Sequence, residues 1–134
     1  MLIIFDLDDT LIHEGFEEFT ERSFICQSTL KVLEYLKRNH QLAIASHNLE
    51  AAALAKRAGI LHYFDIIVGE DPPCNTKRPL IDLILERVGK EKTDIMMFDD
   101  YPAVVKDLED YGIQCQLVDF RTGVTMEDVS KAGL

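Results

Sequence analysis

Cysteine is scarce and tryptophan is absent in this chain of 134 residues. The three cysteines, Cys26, Cys74 and Cys115, lie far apart in the sequence. They form no CxxC pair and no even set, so the sequence lacks both a disulfide framework and a thiolate zinc motif. We therefore expect a reducing, intracellular environment.

Basic residues are also few, and long apolar runs are missing. Fourteen Lys and Arg residues stand against 24 Asp and Glu residues, which leaves a formal net charge of −10. Such a charge repels phosphate backbones and anionic lipids, so nucleic acid and membrane surfaces are disfavoured as partners. No run approaches the ~18 apolar residues of a membrane span, and the first residues lack the basic region of a signal peptide. We expect a soluble, cytoplasmic protein.

The length and the apolar content predict one globular domain over residues 1–134. Apolar residues make up 47% of the chain and charged residues 28%, and domains usually contain about 100–150 residues. A chain of this size buries roughly two-thirds of the surface that its unfolded form exposes, so it forms a core without disulfides or a structural metal.

Short apolar runs alternate with longer amphipathic segments along the chain. This alternation is typical of a three-layer α/β fold, in which a parallel sheet is covered by helices on both faces. Gly59, Gly89 and Gly112 follow three of the amphipathic segments, where a left-handed residue ends a helix. The predicted strands, each apolar enough to be buried on both faces, are residues 2–6, 42–45, 66–68, 95–98 and 114–118; the predicted helices are 29–39, 49–58, 79–88 and 103–111, with a last helix opened by Thr125 and Asp128.

Acidic and hydroxyl side chains follow the predicted strands. The first strand runs into the acidic segment 6–9, the second into Ser46, and the fourth into Asp99 and Asp100. Ligands of open α/β sheets bind at the carboxyl ends of the strands, so these side chains are expected to converge. Like charges ~4 Å apart cost up to ~4 kcal/mol per pair at an effective dielectric of about 20, which calls for a cation. Oxygen ligands suit Mg²⁺, and no His and Cys grouping suggests zinc.

Lys77 adds a second positive centre in the loop before the third predicted helix. Carboxylates, a hydroxyl, Mg²⁺ and a lysine around one point are the groups that phosphoryl transfer requires. We interpret Asp6 as the nucleophile and Asp8, expected to project beside it, as the general acid and then the base. Arg78 is a rival for the role of Lys77.

The order of these motifs resembles that of the haloacid dehalogenase superfamily. Asp6-Leu-Asp-Asp-Thr10, Ser46, Lys77 and Asp99-Asp100 correspond to its four motifs and span nearly the whole chain. The segments 5–11, 45–48 and 97–100 are similar in particular to the small capless phosphatases of the magnesium-dependent phosphatase one type.

The resemblance implies a Rossmann-like fold with a five-stranded parallel sheet in the order 5-4-1-2-3 and no cap domain. It implies an aspartyl-phosphate intermediate on one aspartate, acid and base catalysis by another, and Mg²⁺ as the cofactor. These catalytic residues correspond to Asp6 and Asp8. The implied Mg²⁺ ligands are Asp6, the Asp8 carbonyl and Asp99, with Asp100 beside them; the implied phosphate-binding residues are Leu7, Asp8, Thr10, Ser46, His47 and Lys77.

Three positions depart from this family, which usually has an aromatic residue in place of Asp9, Trp in place of Ile12 and Arg in place of His47. These positions are expected to face the substrate, so the resemblance leaves the substrate specificity open. His47 is interpreted equally well as a substrate contact and as a solvent-facing residue.

Cap modules of this superfamily are inserted at the places of segments 12–24 and 69–76, and neither segment is long enough to hold a domain. A capless site admits a phosphoprotein side chain as readily as a sugar phosphate, unless oligomerisation or a flap formed by 12–24 closes it. Phe16, Phe19 and Phe24 either form the apolar underside of that flap or pack onto the first helix, and packing is favoured.

The sequence thus predicts a Mg²⁺-dependent phosphomonoester hydrolase, monomeric or homodimeric, that acts on a small phosphorylated metabolite such as a sugar phosphate or on phosphotyrosine protein. A nucleotide or nucleic-acid-end phosphatase is an alternative that the net charge of −10 disfavours. A receiver-like signalling module and a catalytically silent Mg²⁺- or phosphate-binding module are further alternatives. Asp8 argues against both, because neither needs a paired general acid.

Overall fold

A five-stranded parallel sheet forms the centre of the protein. The structure is a computed structural model that describes residues 1–14, 23–73 and 76–134. The sheet has the order β5-β4-β1-β6-β7, and all neighbouring strands in it run parallel. When the five strands of this sheet alone are numbered along the chain, this is the predicted order 5-4-1-2-3 read from the opposite edge. Two further short strands pair with each other in antiparallel fashion. In chain order the strands are β1 (Leu2–Phe5), β2 (His13–Glu14), β3 (Ser23–Phe24), β4 (Gln41–Ser46), β5 (Ile66–Gly69), β6 (Ile95–Asp99) and β7 (Gln114–Leu117).

The helices fall where the amphipathic pattern predicts them, within two residues at most boundaries. The third begins with a proline in its first turn and ends at Gly89, whose φ of +66° is the left-handed conformation that glycine adopts without strain. The last begins at the predicted capping box of Thr125 and Asp128. None of the described helices is long and apolar enough to cross a membrane. The helices are α1 (Gln27–Lys37), α2 (Ala51–Arg57), α3 (Arg78–Val88), α4 (Pro102–Asp110) and α5 (Met126–Lys131).

Two apolar layers pack against opposite faces of the sheet. Side chains of α1, α2 and α5 form one layer with alternate strand residues such as Phe5 and Phe98. Side chains of α3 and α4 form the other layer with the intervening residues, such as Ile4 and Met97. Because successive side chains of a strand point to opposite faces, the face on which a strand-end residue lies follows from its position in the alternation.

The edge strands β5 and β7 are less buried than the sequence predicts. Val68 is the one buried residue of β5, and no residue of β7 is buried. The prediction that all five strands are buried on both faces is therefore wrong for these two. Each has a neighbouring strand on one side only, so the other side is left partly open to solvent.

The predicted flap of residues 12–24 lies largely outside the described residues. Its ends are described: Ile12 is fully buried, and β2 and β3 hold the two ends together as an antiparallel pair. Phe16 and Phe19 lie outside the described residues, as does the side chain of Phe24, so the choice between a lid and packing on α1 remains a prediction. The segments 6–26 and 70–77 between sheet and helices leave no room for a cap domain.

Gly123 holds the segment after β7 against the loop after β1, and we expect its replacement by alanine to be costly. Its φ is +70°, and a Cβ atom there would lie 2.8 Å from the Thr10 carbonyl oxygen. Gly59, with a φ of +75° and nothing within 4 Å of such a Cβ, is the matched control. Gly59→Ala should lower the free energy of unfolding by about 1–2 kcal/mol, and Gly123→Ala by about 1–3 kcal/mol more. Equal losses in urea unfolding would contradict this contact.

Candidate active site

Asp6 and Asp99 lie opposite each other at the carboxyl ends of β1 and β6. The pairing of Phe5 with Phe98 places the two aspartates in register, and the Asp6 N–H donates to the Phe98 carbonyl oxygen at 3.0 Å. Asp6 follows the alternation of Leu2 and Ile4, and Asp99 follows that of Ile95 and Met97; these four apolar residues belong to the layer under α3 and α4. Both carboxylates are therefore directed toward the N-terminal end of α3.

Lys77 immediately precedes α3 and contacts both carboxylates. Its Nζ lies 2.6 Å from Asp6 Oδ1 and 2.7 Å from Asp99 Oδ2. Only 5% of the Lys77 residue is exposed, and Asp99 is buried as well. Buried charges are tolerated when they are paired and hydrogen-bonded, so the three groups stabilise one another.

Burial and mutual charge shift the pKa values of these three groups. Burial raises the pKa of Asp6 to about 6, although the Lys77 charge opposes this shift. Burial also raises the pKa of Asp99, again against the effect of Lys77. For Lys77, burial lowers the pKa, but the charges of Asp6 and Asp99 outweigh it and the net shift is upward. The lysine is thus held as an ammonium beside two desolvated carboxylates.

Asp100 brings a third carboxylate to the same place. One oxygen from each of Asp6, Asp99 and Asp100 lies within 4.8 Å of the others. The Thr10 hydroxyl donates to Asp100 Oδ1 at 3.2 Å, and the Tyr101 N–H donates to Asp99 Oδ1 at 2.9 Å, so with Lys77 on Asp6 each of the three carboxylates accepts a hydrogen bond from a neighbour. Three carboxylates against one ammonium leave an excess of negative charge. A set of hard oxygen donors with that charge fits Mg²⁺.

The side chain of Asp8 faces a different partner from that of Asp6. Asp8 Oδ2 accepts a hydrogen bond from Asn48 Nδ2 at 3.4 Å, and Asn48 follows β4 on the opposite side of β1 from β6. The Asn48 N–H donates to Ser46 Oγ at 3.0 Å. Sequence reasoning alone assigns no role to Asn48. Its position two residues after Ser46, at the end of the same strand, is the signal that identifies it as a candidate site residue. His47 lies between them, half-buried, and its Nε2 is buried without a hydrogen-bond partner among the described residues.

Of the remaining candidates, Thr10 joins the site through its hydrogen bond to Asp100, whereas Leu7 and Arg78 do not present their side chains there. Leu7 and Thr10 are fully buried, and the Thr10 hydroxyl is directed at Asp100. A phosphate contact by Leu7 is therefore left to its backbone N–H, which donates no hydrogen bond to another described backbone group. Arg78, the rival of Lys77, turns away: its guanidinium donates to both carboxylate oxygens of Asp107 and lies 4.5 Å from the ring centre of Tyr111.

Comparison with known proteins gives matches in structure. No family model matches the sequence, and no curated protein matches it. A haloacid dehalogenase-like hydrolase of Streptococcus pneumoniae superposes with a TM-score of 0.75 at 17% identity, over 98% of this chain and 90% of that one. A haloacid dehalogenase phosphatase of Thermococcus onnurineus has a TM-score of 0.73 at 18% identity, over 87% and 85% of the two chains.

A third structure is the N-terminal part of a Bacteroides fragilis protein that contains a phosphatase domain and is complexed with Mg. It has a TM-score of 0.77 at 18% identity, and the match covers 99% of this chain and 40% of that one. The three superpositions cover between 87% and 99% of this chain. The chain therefore has the fold of the haloacid dehalogenase-like hydrolases, as its motifs predict.

Proposed function

We propose that this protein is a Mg²⁺-dependent phosphomonoester hydrolase that works through an aspartyl-phosphate intermediate. The observation that carries the proposal is the contact of Lys77 Nζ with both Asp6 and Asp99, at 2.6 and 2.7 Å, beside the third carboxylate of Asp100. This arrangement provides a nucleophile, a fixed ammonium and a set of oxygen ligands at one edge of the sheet. The similar structures that are named phosphatases support it.

The proposed chemistry assigns separate tasks to Asp6 and Asp8, the two carboxylates that act after β1. A carboxylate oxygen of Asp6 attacks phosphorus, and the bond between phosphorus and the ester oxygen breaks with its electron pair on that oxygen. Asp8 gives its proton to the departing oxygen, so an alcohol leaves and an acyl phosphate remains on Asp6. Asp8 then accepts a proton from the water that attacks phosphorus, which releases phosphate and restores both carboxyl groups.

Positive and polar groups around Asp6 hold the phosphoryl group during these steps. The Lys77 ammonium, the Ser46 hydroxyl and the backbone N–H groups of Leu7 and Asp8 are the donors that we assign to it; the two N–H groups are unused by other described backbone groups. When bound by Asp6, the Asp8 carbonyl, Asp99 and Asp100, Mg²⁺ supplies neutralisation of the charge on the phosphoryl oxygens.

Two features determine the class of substrate that we propose: the described residues contain no cap domain, and the chain has a negative net charge. We propose a single domain over residues 1–134, in a soluble cytoplasmic protein that is monomeric or homodimeric. Among the residues that the structure describes, no domain covers the site, and this supports entry of both a small metabolite such as a sugar phosphate and a phosphotyrosine side chain. The net charge of −10 disfavours nucleic acid as a partner.

The experiment that tests the proposal is phosphate release from a panel of phosphomonoesters with Mg²⁺ and with excess chelator. The panel contains p-nitrophenyl phosphate, sugar phosphates, nucleotides and a phosphotyrosine peptide. Turnover that requires Mg²⁺ is expected for at least one class. Binding of Mg²⁺ without turnover of any member would favour the silent or receiver-like module instead.

Asp8→Asn is expected to slow turnover by about 10²–10⁴-fold for alkyl phosphates, because the amide cannot protonate a poor leaving group. In the first step the loss should be much smaller for p-nitrophenyl phosphate, whose leaving group needs little protonation, whereas loss of the base should slow hydrolysis of the acyl phosphate equally for both substrates. Asp110→Asn makes the same change at an exposed aspartate at the C-terminal end of α4, away from the site, and should cost far less. Release of the leaving group before the first turnover is complete, monitored by rapid mixing, measures this first step on both substrates, and an equal loss in that step would contradict the acid role of Asp8.

A further inference from the structure

We propose that Asn48 is a positioning residue for Asp8, and that its amide determines which carboxyl oxygen of Asp8 exchanges the proton. The inference rests on the proposed phosphatase function and adds a residue to it. Among the described residues, Asn48 is the one side-chain or backbone partner that hydrogen-bonds to the Asp8 carboxylate, through Nδ2 and Oδ2 at 3.4 Å.

The orientation of the Asn48 amide follows from its other contact. Asn48 Oδ1 accepts a hydrogen bond from the Glu50 N–H at 2.9 Å, which only the oxygen end of the amide can do. The NH₂ end is therefore the end that faces Asp8. This end is a donor and cannot accept, so it favours the unprotonated oxygen of the carboxyl group, which is the stronger acceptor.

The turn that carries Asn48 is held in place from several sides. The Asn48 N–H donates to Ser46 Oγ at 3.0 Å, and the Asn48 carbonyl accepts from the Ala51 N–H at 3.1 Å. The same carbonyl packs against Gly69 of β5 so closely that a Cβ atom there would lie 2.5 Å from it. These contacts anchor the donor to the sheet and to the start of α2, which makes Asn48 a fixed reference for the half-buried Asp8.

The consequence for catalysis concerns the two oxygens of Asp8. In this scheme Oδ2 of Asp8 accepts from Asn48, and Oδ1, the oxygen left without that partner, is the one that exchanges the proton. In the first step this proton moves from Oδ1 to the leaving oxygen as its bond to phosphorus breaks. In the second step Oδ1 takes the proton of the attacking water. Asn48 itself touches neither the substrate nor the phosphoryl group in this scheme, so it acts through Asp8.

Two substitutions separate this role from a role in folding. Asn48→Asp keeps an oxygen to accept from the Glu50 N–H but replaces the donor that faces Asp8 with an acceptor. Asn48→Ala removes both groups. Glu50→Gln is the matched control, because the exposed Glu50 contributes its backbone N–H to Asn48 and that group is unchanged. Thermal unfolding of each variant reports on the fold.

The rates are measured with Mg²⁺ on p-nitrophenyl phosphate and on an alkyl phosphate such as glycerol phosphate. Asn48→Asp and Asn48→Ala are expected to slow the first step, measured as release of the leaving group before the first turnover is complete, about 10–100-fold on the alkyl phosphate and only a few-fold on p-nitrophenyl phosphate, and to slow hydrolysis of the intermediate by one common factor on both. In the Asp8→Asn background the same substitutions should have no further effect, because the group through which they act is gone.

Three outcomes would overturn the inference. An equal loss in the first step on both substrates, or a full additional loss in the Asp8→Asn background, would indicate a structural role for Asn48. Wild-type rates in both Asn48 variants would show that Asp8 needs no positioning, while the phosphatase function would stand. A wild-type protein without turnover on any phosphomonoester would contradict the proposed function itself and the inference with it.

Discussion

Replacing Asp6 with asparagine should abolish turnover, by about 10⁴-fold or more, while leaving the protein at least as stable as before. The amide has no ionised oxygen with which to attack phosphorus, so no acyl phosphate forms. Stability should not fall, because burial raises the pKa of Asp6 to about 6, above its ordinary value of 3.8. A carboxyl group whose pKa rises on folding destabilises the folded state once the pH exceeds the pKa of the unfolded state. The cost is complete above the pKa of the folded state, where the group must be ionised in the interior.

The measurement pairs kcat on p-nitrophenyl phosphate with urea unfolding at pH 7 in metal-free buffer. Lys77 keeps Asp99 as a partner at 2.7 Å in this variant, so its ammonium remains paired. Retention of a tenth or more of the wild-type rate would contradict the nucleophilic role. A loss of several kcal/mol in stability would show that Asp6 is mainly a structural partner of Lys77.

Lys77→Met is expected to have the opposite effect on stability, with a loss of about 3–5 kcal/mol in metal-free buffer. The substitution removes the one cation that the described structure places between Asp6 and Asp99, which leaves two desolvated carboxylates facing each other. Added Mg²⁺ should restore part of the loss, because the same carboxylates then share a different cation. Turnover should fall sharply with or without that rescue, since the ammonium also binds the phosphoryl group.

Arg78→Met is the matched control for this prediction. Arg78 is the next residue, and its ion pair with Asp107 is partly exposed, with 36% of each side chain accessible. We expect a loss of about 1 kcal/mol or less that does not respond to Mg²⁺. Urea unfolding of the two variants with Mg²⁺ and with chelator gives the comparison. Equal losses, or a loss in Lys77→Met that Mg²⁺ leaves unchanged, would contradict the arrangement of the site.

The meeting of Asp6 and Asp99 could be predicted from sequence because it depends on short-range rules. Both follow apolar strands, parallel strands end at one edge, and the two-residue alternation directs both side chains to the face that α3 covers. Lys77 joins them because it directly precedes α3. None of these steps requires knowledge of how two helices pack.

The parts that the sequence missed depend on contacts between distant elements. The sequence leaves both Arg78 and Lys77 as candidates for the cation of the site. The choice follows from the packing of α3 beside α4, which pairs Arg78 with Asp107. Asn48 meets Asp8 only because the turn after β4 is seated against Gly69 of β5. The partial exposure of β5 and β7 follows from their place at the edges, which the apolar pattern of each strand does not encode.

The central claim, a covalent phosphoryl group on Asp6, is tested most directly by trapping it. The wild-type protein is mixed with Mg²⁺ and a phosphomonoester that it turns over, quenched in acid within the first turnovers, and digested for mass spectrometry. The account predicts a phosphoryl group on the peptide that contains Asp6, sensitive to hydroxylamine as an acyl phosphate is, and absent from Asp6→Asn. Phosphate release without any covalent adduct, or an adduct on Asp99 instead, would contradict it.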